Sequence, residues 1–271
     1  MTTSQSTREA PKTVSGGSDA LTWMCVAVAE HGLRRVGLRP GARLLDVAAG
    51  NGSLGLTAAR LGARVMATDL SPSAVKRLNT RAHEDGLSSL EGRVMDGRTL
   101  ELEDGSFDIS GSQSGITLTP DLQVNLGELA RVTRPGGHVL IIGYGPAVEV
   151  EFLNLFLAAV QAVVPDITGL PLDPPPLPFQ MAEPNELRRE LAAAGLNDIR
   201  VERVTHGMRF RSGTQLWSVV TCSPVGAGLA AELADEPRAE IQQVLDGMLR
   251  ERSGGGTAVL NSAVHIGIGT K

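Results

Sequence analysis

The feature that most constrains the fold is a glycine-rich turn between a short apolar strand and a helix, in the segment LLDVAAGNGSLG at residues 44–55. Residues 44–47 have the length and apolar character of a buried strand, and residues 54–61 continue as a helix. Between them, Gly50 and Gly52 let the backbone approach a ligand closely. Because free N–H groups and a positive dipole end lie at the start of such a helix, the segment predicts a site for a carboxylate-bearing ligand.

Predicted strands and helices alternate on both sides of this turn. Short apolar or β-branched segments predict strands at residues 44–47, 64–69, 92–95, 107–110, 139–143, 198–210 and 258–268. Segments of helical period predict helices at residues 20–36, 54–61, 72–85, 122–132, 148–164, 185–194 and 214–251. We therefore expect an α/β fold with a doubly wound, mostly parallel seven-stranded sheet of the Rossmann-like kind.

Two stretches interrupt the alternation, at about residues 146–184 and 211–255. The first contains the proline-dense loop PLDPPPLPFQ, which cannot be a sheet strand because repeated prolines remove ladder donors. Neither stretch has the makings of a separate core, so we interpret both as helical cap insertions in a single domain over residues 19–271. Residues 1–18, rich in Ser, Thr and Gly, predict a disordered tail.

Two carboxylates flank the glycine turn. Asp46 ends the first predicted strand, directly before the turn, and Asp69 ends the second. Asp69 stands where α/β folds place the carboxylate that binds both hydroxyls of a ribose. The alternatives are a solvated strand end for Asp69 and, for Gly50 and Gly52, a tight bend that binds nothing. The combination of turn and acid favours a ligand site.

Two cofactors compete for such a turn, NAD(P) and S-adenosylmethionine (AdoMet). A dinucleotide fold carries G-x-G-x-x-G directly after its first strand, whereas here the glycines of this spacing begin only after two intervening residues, Ala48 and Ala49. The carboxylate of Asp46 would repel a pyrophosphate but could hold the ammonium of a methionine moiety. These residues favour AdoMet, with S-adenosylhomocysteine as the product.

Four segments together resemble the class I AdoMet-dependent methyltransferases: LLDVAAGNG, ATDLSPSAV, VMDGRTLELEDGSFD and LARVTRPGGHVLIIG. The resemblance is nearest to the small-molecule enzymes of the ubiquinone and menaquinone biosynthesis type. It covers about residues 20–145 well and the two closing strands loosely. It implies the Rossmann-like methyltransferase fold and an AdoMet-dependent enzyme.

Carried over residue by residue, the resemblance assigns the turn to the methionine end of AdoMet. Asp46, Ala48, Gly50 and Gly52 would surround that end, and Asp69 would bind the ribose. Ala48 stands where the family usually has glycine, although alanine is common in the quinone-type subgroup.

The resemblance also assigns residues to the adenine and to the methyl group. Leu70 would pack on the adenine, while Asp96 would accept from its amino group with the backbone of Gly97 beside it. A turn cap is the alternative role for Asp96. Ser112 and Gln113, at the end of the fourth strand, would face the methyl group.

The methyl acceptor should lie over the carboxyl ends of the strands. Phenylalanine is concentrated in the first insertion although aromatic residues are only 3% of the chain, which suggests a partly apolar acceptor. The candidate substrate-contacting residues are Trp23, Phe152, Phe156, Phe179, Met181 and Trp217. The alternative is that the apolar stripe of residues 148–164 simply packs on the sheet.

A general base is needed only if the acceptor must lose a proton. The candidates are His206, Tyr144, Glu149 and Glu151. A single histidine on a strand is more often structural than catalytic, which is the alternative for His206. The Asp/Asn-Pro-Pro-Tyr motif of many nitrogen methyltransferases is absent from the sequence, and this favours oxygen or carbon as the methylated atom.

Charge, cysteine content and hydropathy exclude several classes. The formal net charge is −5 and Lys and Arg form no run, so a nucleic-acid partner is not expected. Cys25 and Cys222 lie far apart without metal-ligand spacing, which fits a reducing cytoplasm and no metal. No segment has the pattern of a signal peptide or the length to span a membrane. We expect a cytoplasmic protein with a small-molecule partner, compatible with a homodimer.

The sequence thus predicts AdoMet-dependent methyl transfer to a small, partly apolar metabolite, of secondary or cofactor metabolism, by in-line displacement. Two alternatives stay open. One is an NAD(P)-linked oxidoreductase on the same kind of sheet, and the other is a non-catalytic AdoMet-binding subunit.

Overall fold

The computed structural model is built around one seven-stranded sheet. It describes residues 17–167, 175–223, 226–227, 233 and 237–271, with the backbone alone for residues 17–23. The strands are β1 (Arg43–Val47), β2 (Arg64–Asp69), β3 (Leu90–Val94), β4 (Phe107–Gln113), β5 (Thr133–Tyr144), β6 (Asn197–Phe210) and β7 (Ala258–Thr270). Their order across the sheet is β3-β2-β1-β4-β5-β7-β6. This confirms the predicted doubly wound, seven-stranded sheet.

The helices among the described residues connect the strands as predicted. They are α1 (Gly17–Arg35), α2 (Ser53–Arg60), α3 (Pro72–Glu84), α4 (Leu122–Val132), α5 (Glu151–Val163), α6 (Pro184–Ala193), α7 (Gly213–Cys222) and α8 (Arg238–Ser253). No described helix combines the length and the apolar character that crossing a membrane requires.

The central strand β1 explains where a ligand can bind. It pairs in parallel with β2 on one side and with β4 on the other, and four of its five residues are buried. After β1 the chain builds outward to β3 and then returns to place β4 on the opposite side of β1. This reversal separates the loops that follow β1 and β4, which leaves a crevice at the carboxyl ends of these strands.

The described chain divides into two compact units. The core unit comprises Cys25–Tyr144, Met181–Arg203 and His265–Lys271. Its interior includes apolar residues of β1, β4, β5, α4 and α6, among them Leu45, Leu129 and Leu191.

The second unit comprises Met1–Met24, Gly145–Gln180 and Val204–Val264, of which only the described residues are considered. Helices α5 and α7 pack with the rings of Phe156 and Trp217 5.5 Å apart. Arg252 of α8 forms an ion pair with Glu151 at 2.7 Å. The interpretation of residues 19–271 as one domain with two insertions remains a prediction.

Several predicted boundaries are wrong. The strand predicted at residues 139–143 begins earlier, because β5 starts at Thr133 and contains the segment RPGG at 134–137. The pairs Phe107–Thr133 and Ile109–His138 show a bulge there, with four residues of β5 opposite one of β4. Gly136 has φ +72°, which fits such a bulge.

The remaining differences concern the insertions and the tail. The helix predicted over 148–164 is a 3₁₀ turn, Ala147–Glu149, followed by α5. The helical stretch predicted at about 214–251 contains α7 and α8. Residues 171–174 of the proline loop and 1–16 of the tail lie outside the described residues, whereas Gly17 and Ser18 belong to α1.

Candidate cofactor-binding site

The carboxylate of Asp46 is held against the first turn of α2. Its Oδ2 accepts a hydrogen bond of 2.9 Å from the backbone N–H of Gly55. Gly55 is the third residue of α2, so this N–H is one of the donors that a helix start leaves without an intrahelical partner. A Cβ at position 55 would lie 3.1 Å from Oδ2, and glycine therefore allows the close approach.

The second oxygen of Asp46 has no hydrogen-bond partner among the residues that the structure describes. The residue is 1% exposed, and Oδ1 is buried without a hydrogen bond. Burial raises the pKa of Asp46 from 3.8 to about 7; the Gly55 N–H opposes this and the nearby charge of Asp69 adds to it. A buried carboxylate oxygen left unsatisfied costs free energy, which a cationic ligand group would recover.

The glycine turn adopts backbone angles that its residue types permit. Gly50 and Gly52 have φ of +53° and +79°, in the left-handed region that glycine adopts without strain. A Cβ at position 52 would also come within 2.2 Å of the Leu78 side chain. Ala48 shares the positive φ, at +55°, although it has a side chain. The turn is therefore strained at Ala48, in the same place where the family usually has glycine.

Asp69 joins the turn to the start of α3. Its Oδ2 accepts from the Gly50 N–H at 2.8 Å, and its Oδ1 accepts from the Ser71 N–H at 2.9 Å. Each oxygen keeps further acceptor capacity, because an ionised carboxylate has about four lone-pair sites. Asp69 is half-buried at the end of β2. This geometry is compatible with the predicted contact to two ribose hydroxyls.

A cavity of about 330 Å³ lies beside the turn, within the core unit. This volume falls in the usual range of small-molecule sites, about 300–1,000 Å³. Leu70 is 63% exposed and lines it, as expected of a side chain that would pack on a planar ring. The lining residues are Val47, Ala48, Asp69, Leu70, Met95, Asp96, Gly97, Arg98, Ile116, Thr119, Pro120, Asp121 and Asn125.

Asp96 lies at this cavity, but its carboxylate is already bound. The Arg98 guanidinium donates to it from Nε and from a terminal nitrogen, at 2.8–3.2 Å, and the Arg98 N–H donates at 2.9 Å. Arg98 also reaches Asp121 at 3.2 Å. The side-chain hydrogen bond from Arg98 holds the pKa of Asp96 below its ordinary value. The hydrogen bond from the Arg98 N–H to the Asp96 carboxylate is the turn cap that the sequence left open as the alternative role.

Ser112 and Gln113 end β4, as predicted. Ser112 is buried, and its Oγ accepts from the Ile116 N–H at 3.2 Å. The Gln113 side-chain amide donates to the Cys25 carbonyl at 2.9 Å, while its Oε1 is buried without a partner. Of the two, Gln113 has the polar atom available for a ligand.

Tyr144, one of the predicted bases, is buried at the end of β5. Burial raises its pKa above the ordinary value, with a smaller contribution from Cys25. Burial, opposed by a hydrogen bond with Ser53, likewise raises the pKa of the Cys25 thiol to about 11. The role of Tyr144 as a base remains a prediction.

The other predicted catalytic residues belong to the second unit. Glu149 ends the 3₁₀ turn Ala147–Glu149, Glu151 begins α5, and His206 is a buried residue of β6. The Glu151 carboxylate accepts hydrogen bonds from Arg252 and from the Asn261 N–H, contacts that favour a structural role. The roles of His206 and Glu149 as bases remain predictions.

The predicted substrate residues are buried where their side chains are described. Phe152, Phe156, Phe179 and Trp217 are each at most 6% exposed, as core residues of the second unit. This is the packing role that the sequence left open as the alternative. Met181 is partly buried in the core unit, and the Trp23 side chain lies outside the described residues. Contact of these six residues with an acceptor stays a prediction.

Two features of the site escaped the sequence interpretation. Gly55 has the spacing of the last glycine of a dinucleotide motif, but its N–H donates to the Asp46 carboxylate instead of binding a phosphate. Asn125 of α4 lines the cavity and has no motif around it. The glycine spacing was a usable signal for Gly55, whereas no local signal marked Asn125.

Part of the chain is similar to known proteins. The family described as "Methyltransferase domain" matches residues 45–141, which contain the turn, both acids and the cavity. An uncharacterized protein of Mycobacterium tuberculosis is 37% identical over 133 residues, which are 49% of this chain and 47% of that protein. The chain spans about half the length of these first curated relatives.

Two further similarities cover more of the chain. The demethylmenaquinone methyltransferase of Corynebacterium urealyticum is 29% identical over 190 residues, 67% of this chain and 80% of that enzyme. The solved structure of the YcgJ protein from Bacillus subtilis superposes with a TM-score of 0.57 at 16% identity, covering 90% of this chain and 98% of that one. At this identity the structural likeness shows the fold alone.

Proposed function

Because residues 45–141 form a class I AdoMet-dependent methyltransferase domain, we propose that the whole protein transfers the methyl group of AdoMet to a small, partly apolar metabolite. The methylated atom is an oxygen or a carbon, and the transfer is an in-line displacement. AdoMet, when bound, supplies an already activated methyl group. The residues of the chain then need only to bind, align and exclude water.

The observation that carries the proposal is the unpaired Oδ1 of the buried Asp46. A buried acceptor-only group next to an open glycine turn fits the ammonium of a methionine moiety, which would donate to it and neutralise it. Asp69, half-buried at the end of β2, fits the ribose, and Leu70 fits the face of the adenine. These side chains and the cavity lie together in the core unit, and their arrangement suits AdoMet.

The same contacts argue against the NAD(P) alternative. A pyrophosphate needs free N–H groups at the helix start. In α2 the Gly55 N–H already binds the carboxylate of Asp46, and the Ser53 N–H donates to the Asn51 side chain at 3.3 Å. Two of the first three N–H groups of α2 are thus bound by side chains of the protein itself, which leaves fewer donors than a pyrophosphate needs but still one for a single carboxylate.

The acceptor class is inferred from the relatives. Those with a printed activity are demethylmenaquinone methyltransferases, whose name specifies a quinone as the methyl acceptor. We therefore infer an aromatic or quinol-like acceptor, which agrees with the absence of the nitrogen-methyltransferase motif. In the core unit, Gln113 Oε1 and the Tyr144 hydroxyl are polar groups at the carboxyl ends of β4 and β5 that suit a ring hydroxyl.

Calorimetric titration tests the cofactor assignment. We expect the protein to bind AdoMet and S-adenosylhomocysteine and not NADH. A hydrogen bond to a charged group contributes roughly 1.5–3 kcal/mol, so Asp46→Asn and Asp69→Ala should each weaken AdoMet binding about 10- to 150-fold. Asp104→Asn is the matched control, since that carboxylate is 79% exposed and remote from the turn. Unchanged affinity in the two site variants would contradict the assignment.

Turnover is tested separately with AdoMet labelled in its methyl group. The acceptor panel contains demethylmenaquinone, simple quinols and phenols, and a metabolite extract, with mass spectrometry and NMR locating the added methyl. Label in a small molecule supports the proposal. Binding of AdoMet without transfer to any acceptor in the panel or extract would support the non-catalytic alternative.

A further inference from the structure

We propose that the amino end of the sheet holds a second ligand site, separate from the cofactor cavity, which binds the phosphate group of a phosphomonoester between Arg43 and Arg64. The inference goes beyond the proposed function and does not depend on it. A cavity of about 390 Å³ lies at this end of the sheet, within the core unit. Residues at the start of four strands line it: Arg43 of β1, Arg64 of β2, Leu90 of β3 and Phe107 of β4.

The site lies at the opposite end of the sheet from the cofactor cavity. Strands β1 to β4 run parallel, so their first residues share one edge of the sheet and their last residues share the other. Val47 and Asp69 end β1 and β2 and line the cofactor cavity. Four steps along β1, at about 3.3 Å each, put roughly 13 Å between Arg43 and Val47. A ligand at one end therefore leaves the other end accessible.

Two arginines occupy paired positions at this edge. Arg43 and Arg64 are register partners in β1 and β2, so their side chains project on the same face of the sheet. Like charges at paired positions repel each other. The Arg64 guanidinium has no ion pair or hydrogen bond with another described residue, and the Arg43 Nε lies 3.7 Å from Asp108 Oδ2, beyond hydrogen-bond distance. An anion that contacts both guanidinium groups offsets the repulsion and supplies the acceptors that they lack.

The acidic residues near this edge are already paired with other arginines. Asp108 Oδ1 accepts from the Arg134 Nε at 2.7 Å, and its Oδ2 accepts from the backbone N–H of Arg43 at 2.8 Å. Glu91, which lines the cavity, accepts twice from Arg93, at 2.8 and 3.1 Å. The two arginines of the cavity therefore contribute positive charge in excess of what the neighbouring carboxylates neutralise.

The donors at this edge favour a phosphate over a carboxylate. Ser88 and Ser89 line the cavity, and neither hydroxyl forms a hydrogen bond with a described residue. Two guanidinium groups and two hydroxyls offer more donors than the two oxygens of one carboxylate can accept from at once, whereas a phosphomonoester presents three charged oxygens that match the arginine fork. The cavity volume falls in the range of small-molecule sites, about 300–1,000 Å³, so it also has room for the organic part of the ligand.

Phosphorus NMR titration of the full chain, in a phosphate-free buffer of low salt, tests the site with glycerol 3-phosphate as the probe. From two charge-assisted contacts we expect a dissociation constant of about 1 mM. Arg43→Gln and Arg64→Gln should each weaken binding about tenfold. Arg77→Gln is the matched control and should leave the affinity unchanged, because it removes the same charge from an exposed position of α3 and lines neither cavity.

Saturation with S-adenosylhomocysteine separates this site from the glycine turn, and it should leave the affinity for glycerol 3-phosphate unchanged. Loss of phosphate binding in its presence would overturn the inference. Absence of binding to the wild type, or equal affinity in the wild type and both variants of the paired arginines, would overturn it as well. Displacement of the probe by an equal concentration of malonate would show a carboxylate site instead. Binding of the probe without binding of S-adenosylhomocysteine would support this inference and contradict the proposed function.

Discussion

The two compact units differ in what they do with polar groups and with aromatic rings. In the core unit, acceptor oxygens of Asp46 and Gln113 are buried without partners near the ends of β1 and β4. In the second unit, Glu151 is paired with Arg252, and Phe156 and Trp217 are buried against each other. Unsatisfied buried acceptors cost stability and are retained where a ligand can pair with them. The acceptors near the ends of β1 and β4 therefore mark a candidate binding site, whereas the Glu151 ion pair and the Phe156–Trp217 contact belong to a packed scaffold.

The largest expected effect tests the scaffold side of this comparison. Trp217 is 6% exposed, packs on Phe156 and has the Arg238 guanidinium 5.4 Å from its ring centroid. Removing a buried Trp side chain usually costs about 3–5 kcal/mol, and we expect Trp217→Ala to lower the free energy of unfolding by that amount. Urea denaturation followed by circular dichroism measures it.

Trp217→Phe is the matched control for this variant, since it keeps a ring and should lose only about a third as much. Below the unfolding transition, the affinity of Trp217→Ala for S-adenosylhomocysteine should stay close to that of the wild type, because the cavity lies in the core unit. A large loss of affinity with little loss of stability would mean that Trp217 belongs to the site and would break the comparison.

The next effect concerns the free energy of unfolding that is lost because the Asp46 carboxylate is buried. Its pKa is about 7 in the folded protein against an ordinary 3.8, so the folded state binds more protons between these values. The contribution of Asp46 is fully present below about pH 4 and is lost as the pH rises through 7. Ligand-free Asp46→Asn should therefore gain stability relative to the wild type as the pH rises.

Urea unfolding of both proteins without ligand, at pH 5 and pH 8, measures this difference, and we expect it to grow by a few kcal/mol. Asp104→Asn should show no such growth, since its carboxylate is exposed. A difference that is equal at the two pH values would show that the Asp46 carboxylate is not raised in pKa by burial. Burial of the Asp46 charge would then cost the ligand-free protein no stability, and the proposed difference between the two units would not hold at this residue.

The smallest effect is expected at Ala48. Its φ of +55° is unfavourable for a residue with a Cβ, by roughly 1 kcal/mol relative to glycine. We expect Ala48→Gly to stabilise the protein by up to about 1 kcal/mol, seen as a small rise in melting temperature. Ala49→Gly is the neighbouring control and should destabilise, because Ala49 has no positive φ. Destabilisation in both variants would mean that the Ala48 methyl contributes packing that outweighs the backbone strain.

Local patterns in the sequence predicted most of the fold. The strand Arg64–Asp69 and the helix Leu122–Val132 have the predicted boundaries, and Ser71 caps α3 by accepting from the Ala74 N–H at 3.3 Å. These features depend on residues within one or two turns of each other, which a sequence displays directly. The bulge at Gly136 was missed because it depends on the pairing of β5 with β4, two elements joined only in space.

The cofactor residues divide in the same way. Asp46, Gly50, Gly52 and Asp69 were predicted because strand ends and turns of a parallel sheet meet at one edge. The role of the predicted substrate residues remains undecided, because an insertion rich in aromatic residues looks the same in sequence whether its rings line a pocket or fill a core. Burial of Phe152 and Phe156 favours the core, and only packing reveals it.

By itself, the sequence determined the sheet, the glycine turn and the two acids beside it, since these follow from periodicity and from residue types that alone tolerate such turns. The tertiary structure decided how those groups are partnered. It showed that the Asp46 carboxylate accepts from the Gly55 N–H, that Asp69 accepts from the N–H groups of Gly50 and Ser71, and that Arg98 pairs with Asp96. The physical reason is that hydrogen-bond capacity is limited, and which donor reaches which acceptor depends on distances that no local pattern encodes.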